Sequence, residues 1–130
     1  MDLLLDTHVF LWWDETPDEI AEAALAAIRS SENSVFVSSA SVWEIAIKRQ
    51  AGRLDFSGSP VEAIARNGFL PLPILPQHAE RAGALPLLHT DPFDRMLVAQ
   101  AQLASMTLVT ADRKVAAYPV AQLWARPGSP

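Results

Sequence analysis

The sequence predicts an α/β fold with three layers, in which helices cover both faces of a mainly parallel sheet. Short apolar runs typical of buried strands alternate along the chain with helical patterns, and several of these runs lead into an acidic residue. Such alternation is typical of parallel sheets built from strand–helix–strand units. The chain has 130 residues, half of them apolar, which is enough for one domain with its own core. We predict a domain over residues 1–125 and a flexible tail over 126–130.

The strand candidates differ in how deeply they should lie in the sheet. Residues 3–5 are all leucine and stop at Asp6, as expected for a central strand whose last residue emerges at the sheet edge. The apolar run 34–37 and the β-branched run 107–110 predict two further strands. Residues 69–75 are interrupted by prolines and suit an edge strand. A last short strand is expected within 120–124.

Helix signals lie between these strands. Thr16 with Pro17 and Glu19 has capping-box spacing and predicts one helix over 17–29. A second helix follows the strand at 34–37 and ends near Gly52. Further helices are expected from Ser59 to Gly68, over 77–84, and after Asp91, where Pro92 suits the first helical position.

Four acidic residues stand at strand ends or helix starts: Asp6, Glu44, Asp94 and Asp112. Glu44 falls in the first turns of the second helix, and Asp94 lies one turn into the helix that Asp91 caps. The carboxyl ends of parallel strands share one edge of a sheet, so these four side chains are expected to converge. A cluster of carboxylates is a site for a hard divalent cation.

Each acid also has a purely structural interpretation. Asp6 and Asp112 could cap the turns that follow them, and Glu44 could close a capping box with Ser41 or pair with Lys48. Taken together, however, carboxylates about 5 Å apart would repel by about 3 kcal/mol per pair at an effective dielectric of 20. A bound cation would remove that cost, which favours a metal site.

Composition excludes several classes of function. There is no cysteine, which removes thiolate metal sites, thiol nucleophiles and disulfides and fits a reducing cytoplasm. No apolar stretch approaches the roughly 20 residues of a membrane helix, so no membrane partner is expected. The net charge of −5 argues against a broad surface that coats nucleic acid. Basic residues near the acids could still hold phosphate: Lys48, Arg49, Arg53, Arg95, Arg113 and Lys114.

Four segments of the chain resemble the signature blocks of PIN-domain ribonucleases, and specifically of VapC-type toxins. They are LLDTH at 4–8, SVWEIAIK at 41–48, DPFDRMLVAQA at 91–101 and LVTAD at 108–112. The resemblance implies that Asp6, Glu44, Asp94 and Asp112 are the catalytic metal ligands. It assigns Thr110 a supporting hydrogen bond, and we take Thr7, Asp91 and Lys48 as further supporting residues, with Asp91 chiefly a helix cap.

The same resemblance implies a PIN-like fold and a metal-dependent endoribonuclease. One or two Mg²⁺ or Mn²⁺ ions would orient a phosphodiester and activate the attacking water, leaving 5′-phosphate and 3′-hydroxyl ends. A small antitoxin is expected to cover the acidic cleft with its C-terminal segment, and a homodimer is favoured. The alternatives are a metal-dependent phosphatase or phosphoryl-transfer enzyme, and a catalytically silent PIN-like binding module.

Aromatic and histidine residues receive more ordinary predictions. Trp12 and Trp13 are adjacent and cannot share one helix face, so one of them is expected to meet a partner. His8 is expected to make a local hydrogen bond. His78 and His89 are expected at the surface, with His89 on the rim of the site because it precedes Asp91.

Overall fold

One parallel sheet of five strands forms the centre of the computed structural model, which describes all 130 residues. The strands lie in the spatial order β3-β2-β1-β4-β5, and every neighbouring pair is parallel. Their bounds are Asp2–Leu5 (β1), Ser34–Ser38 (β2), Leu70–Leu72 (β3), Thr107–Thr110 (β4) and Gln122–Trp124 (β5). The predicted central and edge strands are therefore confirmed.

Seven α-helices cover the sheet. Their bounds are Thr7–Glu15 (α1), Glu22–Arg29 (α2), Ser39–Gln50 (α3), Pro60–Arg66 (α4), Pro76–Ala84 (α5), Pro92–Ala104 (α6) and Arg113–Ala116 (α7). The helix that follows Ser59 ends before Gly68, whose φ of +73° is the left-handed conformation that glycine adopts without strain.

The prediction of one continuous helix over 17–29 is wrong. Pro17–Glu19 forms a single 3-10 turn, the backbone is extended at Ile20, and α2 starts only at Glu22. The break has a tertiary cause, because the N–H of Ala21 donates to the carbonyl of Ala125, just beyond β5, at 2.7 Å. Thr16 makes no side-chain capping bond, so its capping-box spacing was misleading.

The core has two parts, one on each face of the sheet. Leu3 and Leu5 of β1 point into the layer formed with α1, α2 and α4, whereas Leu4 points into the layer formed with α5 and α6. This follows from the two-residue repeat of a strand, which sends alternate side chains to opposite faces. All three leucines are fully buried, so β1 is covered on both sides and the three-layer prediction is confirmed.

The order of the strands creates a crevice beside β1. From β1 the chain moves first to β2 on one side and later to β4 on the other, so helices leave the ends of β1 and β4 toward different parts of the molecule. Ligands in open parallel sheets bind at such a switch point, outside the carboxyl ends of the strands. Leu5 pairs in register with Val37 and Val109, so the next residues along the three strands lie at the same level. Those residues are Asp6, Ser38 and Thr110.

None of the helices combines the length and the apolar character that crossing a bilayer would require.

Candidate active site

Asp6 lies at the floor of the crevice and is almost fully buried. It is the N-cap of α1, where one carboxylate oxygen accepts the backbone N–H of Val9 at 2.9 Å. The other oxygen accepts the hydroxyl of Thr110 at 2.5 Å. Because Thr110 ends β4, this bond ties the two strands at the switch point through the carboxylate itself.

Glu44 reaches the same crevice from α3. This helix is capped by Ser38, so the suggested capping box between Ser41 and Glu44 is wrong. The hydroxyl of Ser41 instead accepts the hydroxyl of Thr7 at 2.8 Å, which joins α3 to α1. One oxygen of Glu44 pairs with the ammonium of Lys48 at 2.6 Å, whereas Oε1 is buried without any hydrogen-bond partner.

Two aspartates at the start of α6 have separate roles. Asp91 is the N-cap, and its Oδ1 accepts the backbone N–H groups of Phe93 at 2.8 Å and Asp94 at 3.0 Å. The prediction that Asp91 caps this helix is therefore confirmed. Asp94, one turn further, directs Oδ2 at Nε2 of His89, 2.8 Å away.

Asp112 follows β4 and caps the short helix α7. Its Oδ1 accepts the backbone N–H of Lys114 at 2.8 Å, and its own N–H donates to Thr110 at 3.1 Å. Its second oxygen lies 3.4 Å from Nε2 of His89. His89 thus stands between Asp94 and Asp112.

The electrostatics show that the four acids share one environment. Burial, with a smaller contribution from the charges of Asp91, Asp6, Glu44 and Asp112, raises the pKa of Asp94 to about 8. Burial also raises the pKa of Asp6, against the opposing hydrogen bonds from Thr110 and Val9. Carboxyl groups in this position resist ionisation unless a positive charge is supplied.

The donor set suits a hard divalent cation. Mg²⁺ and Mn²⁺ prefer carboxylate oxygens, and the partnerless Oε1 of Glu44 is a buried acceptor that a cation would satisfy. Ligand atoms of His89, Asp94 and Asp112 lie within 4.8 Å of one another. The ligand atoms of Asp6 and Glu44 do not belong to that group of three.

The predicted positions of Arg95 and His78 are wrong. Arg95 does not face the acids; it is buried, and its guanidinium donates to the carbonyls of Ala82, Leu85 and Pro86, which seals the end of α5. His78 is not at the surface, since only 4% of it is exposed and its Nδ1 accepts the N–H of Leu75 at 3.0 Å. The partners of Arg95 come from the end of α5 and the loop after it, which its sequence neighbourhood does not indicate. The contact of His78 is local, since Leu75 is the N-cap of the same helix.

The tryptophan prediction also needs correction. Trp12 and Trp13 are both partly buried and pack against the core beneath α1. The indole N–H of Trp13 donates to Asn67, and Arg126 lies over the ring of Trp12. The exposed tryptophan is Trp43, which is 61% accessible and packs edge-to-face against Phe93.

Acidic side chains gathered at the switch point of a parallel α/β sheet define the general class of this protein as an α/β protein with a carboxylate-rich candidate site. A sequence model of the PIN domain matches residues 3–121. Ribonuclease VapC22 of Mycobacterium tuberculosis is 31% identical over 120 residues, covering 89% of this chain and 91% of that protein. The chain belongs to the PIN domain family.

Solved structures share the fold. VapBC2 from Rickettsia felis, bound to a DNA fragment from its promoter, superposes with a TM-score of 0.69 at 15% identity, covering 96% of this chain and 99% of that one. A toxin–antitoxin complex from Klebsiella pneumoniae gives 0.65 at 23% identity, with 93% and 95% covered. FitAB bound to an IR36 DNA fragment gives 0.65 at 20% identity, with 94% of each chain covered.

The raised pKa of Asp94 predicts how the stability of the metal-free protein depends on pH. Between its ordinary value of 3.8 and about 8, the folded state keeps a proton that the unfolded state has lost. The free energy of unfolding contributed by this group is therefore highest below pH 3.8 and falls as pH rises to 8. Urea unfolding in chelator at pH 5 and pH 8 should show a smaller decline for Asp94→Asn than for the wild type. An equal decline in both proteins would contradict the crowded site.

The contacts of His89 predict its tautomer. Nδ1 accepts the backbone N–H of Thr90 at 3.1 Å and lies 3.5 Å from that of Asp91, so in the neutral ring the proton belongs on Nε2. Nε2–H then donates to Asp94, and Nε2 is closed to a metal. Ring ¹⁵N shifts at pH 8 should report Nε2–H before and after addition of Mg²⁺. The ring of His78, whose Nδ1 accepts the N–H of Leu75, serves as the internal reference. Transfer of the His89 proton to Nδ1 on addition of Mg²⁺ would make His89 a ligand instead.

Proposed function

We propose that this protein is a metal-dependent endoribonuclease toxin that is inhibited by a cognate antitoxin. The observation that carries the proposal is the crowding of buried carboxylates at the switch point, with Oε1 of Glu44 left partnerless. Membership of the PIN domain family and the relationship to Ribonuclease VapC22 support RNA as the substrate.

The proposed metal ligands are Asp6, Glu44, Asp94 and Asp112, and the proposed ions are Mg²⁺ or Mn²⁺. When bound, such ions supply the charge that orients a phosphodiester and makes a water molecule nucleophilic at neutral pH. No protein nucleophile is then required. Water adds to phosphorus as the bond to the 3′ oxygen breaks, which yields 5′-phosphate and 3′-hydroxyl ends.

The surrounding residues hold the carboxylates in position. Thr110 and the N–H of Val9 each engage one oxygen of Asp6, which fixes the rotation of that group. Lys48 holds one oxygen of Glu44 and leaves Oε1 free. Groups that orient ligands in this way commonly change metal affinity or activity by about 10- to 100-fold when they are removed.

An apolar groove beside the site is the proposed docking surface for the antitoxin. It has a volume of about 620 Å³ and is lined by residues of α3, α4 and the sheet edge, among them Val42, Trp43 and Val61. Trp43 directly precedes Glu44, so a segment lying in this groove would reach the acids. A basic side chain at that point would compete with the cation. A homodimer is proposed on the family resemblance alone.

Replacing Glu44 by glutamine tests the catalytic role. Since Glu44 does not cap its helix, the change should leave the unfolding free energy in chelator within about 1 kcal/mol of wild type. RNA cleavage with Mn²⁺ should fall by more than about 100-fold, because a negatively charged metal ligand is lost. Removing a residue that only orients a ligand commonly costs about 10- to 100-fold.

Glu62→Gln provides the matched control, because Glu62 is an exposed glutamate of α4 whose side chain makes no contact recorded in the structure. This variant should cleave RNA like the wild type, and chelator should abolish cleavage by both. Equal rates for Glu44→Gln and wild type at saturating Mn²⁺ would remove Glu44 from the site.

Expression in a bacterial host tests the toxin role separately. The wild type should arrest growth, Glu44→Gln should not, and co-expression of the small protein encoded beside this gene should restore growth. Val61→Glu should weaken that complex without loss of cleavage, whereas Val61→Leu should not, because Val61 is 62% exposed in the apolar groove. An RNA-cleaving wild type that leaves growth unchanged would end the toxin assignment and leave the nuclease assignment intact.

A further inference from the structure

A cavity that includes Asp6 and Asp112 opens beside the candidate site, and we call it the Trp12 pocket. It has a volume of about 330 Å³ and is lined by Asp6, His8, Trp12, Ala111, Asp112, Arg113 and Arg126. Asp6 and Asp112 therefore belong both to the acidic cleft and to the wall of this pocket. The opposite wall is aromatic and basic.

The basic wall is positioned by the sheet. Arg126 directly follows Ala125, whose N–H donates to the carbonyl of Thr110 at 2.8 Å and whose carbonyl accepts the N–H of Ala21 at 2.7 Å. The backbone is thus held on both sides one residue before Arg126. The guanidinium lies 4.7 Å from the centroid of the Trp12 ring, a distance at which cation–π attraction is effective. Arg126 is therefore placed in the pocket wall by the backbone bonds of Ala125 and by its contact with Trp12.

The two arginines of this wall have no charge partner. None of the ion pairs and none of the side-chain hydrogen bonds in the protein includes Arg113 or Arg126. Each oxygen of Asp6 accepts one hydrogen bond, from Val9 or from Thr110, and one oxygen of Asp112 caps α7. Two guanidinium groups without a carboxylate partner are unexpected in a chain whose net charge is −5. They are suited to bind an anion from outside the protein, such as a phosphate group.

We propose that the Trp12 pocket binds the nucleotide that adjoins the scissile phosphate of a single-stranded RNA. Arg113 and Arg126 hold its phosphate, and its base stacks on the layer formed by Trp12 and Arg126. Stacking on aromatic and guanidinium planes requires an unpaired base, so the pocket selects single strands over duplex. This inference rests on the proposed ribonuclease function, because it takes the acidic cleft as the place where the chain is cut.

The test compares three arginine variants of equal charge. Arg113→Gln and Arg126→Gln remove the proposed phosphate contacts. Arg81→Gln is the control, because Arg81 lines a cavity with Ser105 and Met106, which precede β4 at the opposite end of the sheet. Single-turnover cleavage of a labelled RNA oligonucleotide at increasing protein concentration gives a half-saturating concentration and a maximal rate.

Each pocket variant should raise the half-saturating concentration by about 3- to 10-fold, lower the salt dependence of binding by about one unit of slope, and leave the maximal rate within about 2-fold. Arg81→Gln should change none of these. Arg126→Lys keeps the charge but loses the planar stack, so it should retain the salt slope and lose the advantage of a base over an abasic nucleotide beside the cut.

The outcomes separate this inference from the proposed function. If the wild type cleaves RNA and both pocket variants behave like Arg81→Gln, the proposal for the Trp12 pocket is wrong and the ribonuclease proposal stands. If the wild type does not cleave RNA, and fluorescence anisotropy in chelator detects no RNA binding, both proposals are wrong. Binding in chelator that weakens only in the pocket variants, without any cleavage, supports the RNA subsite and overturns the ribonuclease.

Discussion

The burial of several neighbouring carboxyl groups at the switch point is the constraint on which the rest of this structure depends. Register alignment of β1, β2 and β4 brings Asp6, Ser38 and Thr110 to one level, and burial raises the pKa of the nearby Asp94 to about 8. Such an arrangement stores an unfavourable free energy in the metal-free protein. It persists because it forms around a core that is closed on both faces of β1, and a divalent cation would reverse its sign.

Helix capping and the candidate chemistry use the same residues. Asp6 caps α1 and Asp112 caps α7, in each case by accepting a backbone N–H with one oxygen. Capping therefore fixes the orientation of each carboxylate. The second oxygen of Asp6 accepts the hydroxyl of Thr110, and the second oxygen of Asp112 lies 3.4 Å from Nε2 of His89. Each acid allowed both a structural and a functional interpretation in the sequence, and the structure confirms the structural one, helix capping, for Asp6 and Asp112. Glu44 differs, since it lies well inside α3 and caps nothing.

His89 and Lys48 stabilise the crowded carboxylates in different ways. Lys48 contributes a full positive charge at the solvent side of Glu44. His89, held by backbone N–H groups on Nδ1, contributes a single proton between Asp94 and Asp112. Arg113 and Arg126 of the Trp12 pocket add positive charge next to Asp6 and Asp112 without forming an ion pair with either acid. Charge of opposite sign on adjoining surfaces is suited to holding a polyanion while cations act on one of its phosphates.

The sequence by itself determined the sheet, the order of its elements and the convergence of Asp6, Glu44, Asp94 and Asp112, because strand periodicity, capping residues and parallel topology are local or nearly local rules. Only the tertiary structure decided the break before α2, the inward turn of Arg95, the burial of His78 and the stacking of Arg126 on Trp12. Each of these depends on contacts between residues distant in sequence, such as Ala21 with Ala125 and His78 with Gln100. A polar group takes whichever partner the packed fold brings within reach, and no spacing rule along the chain encodes that choice.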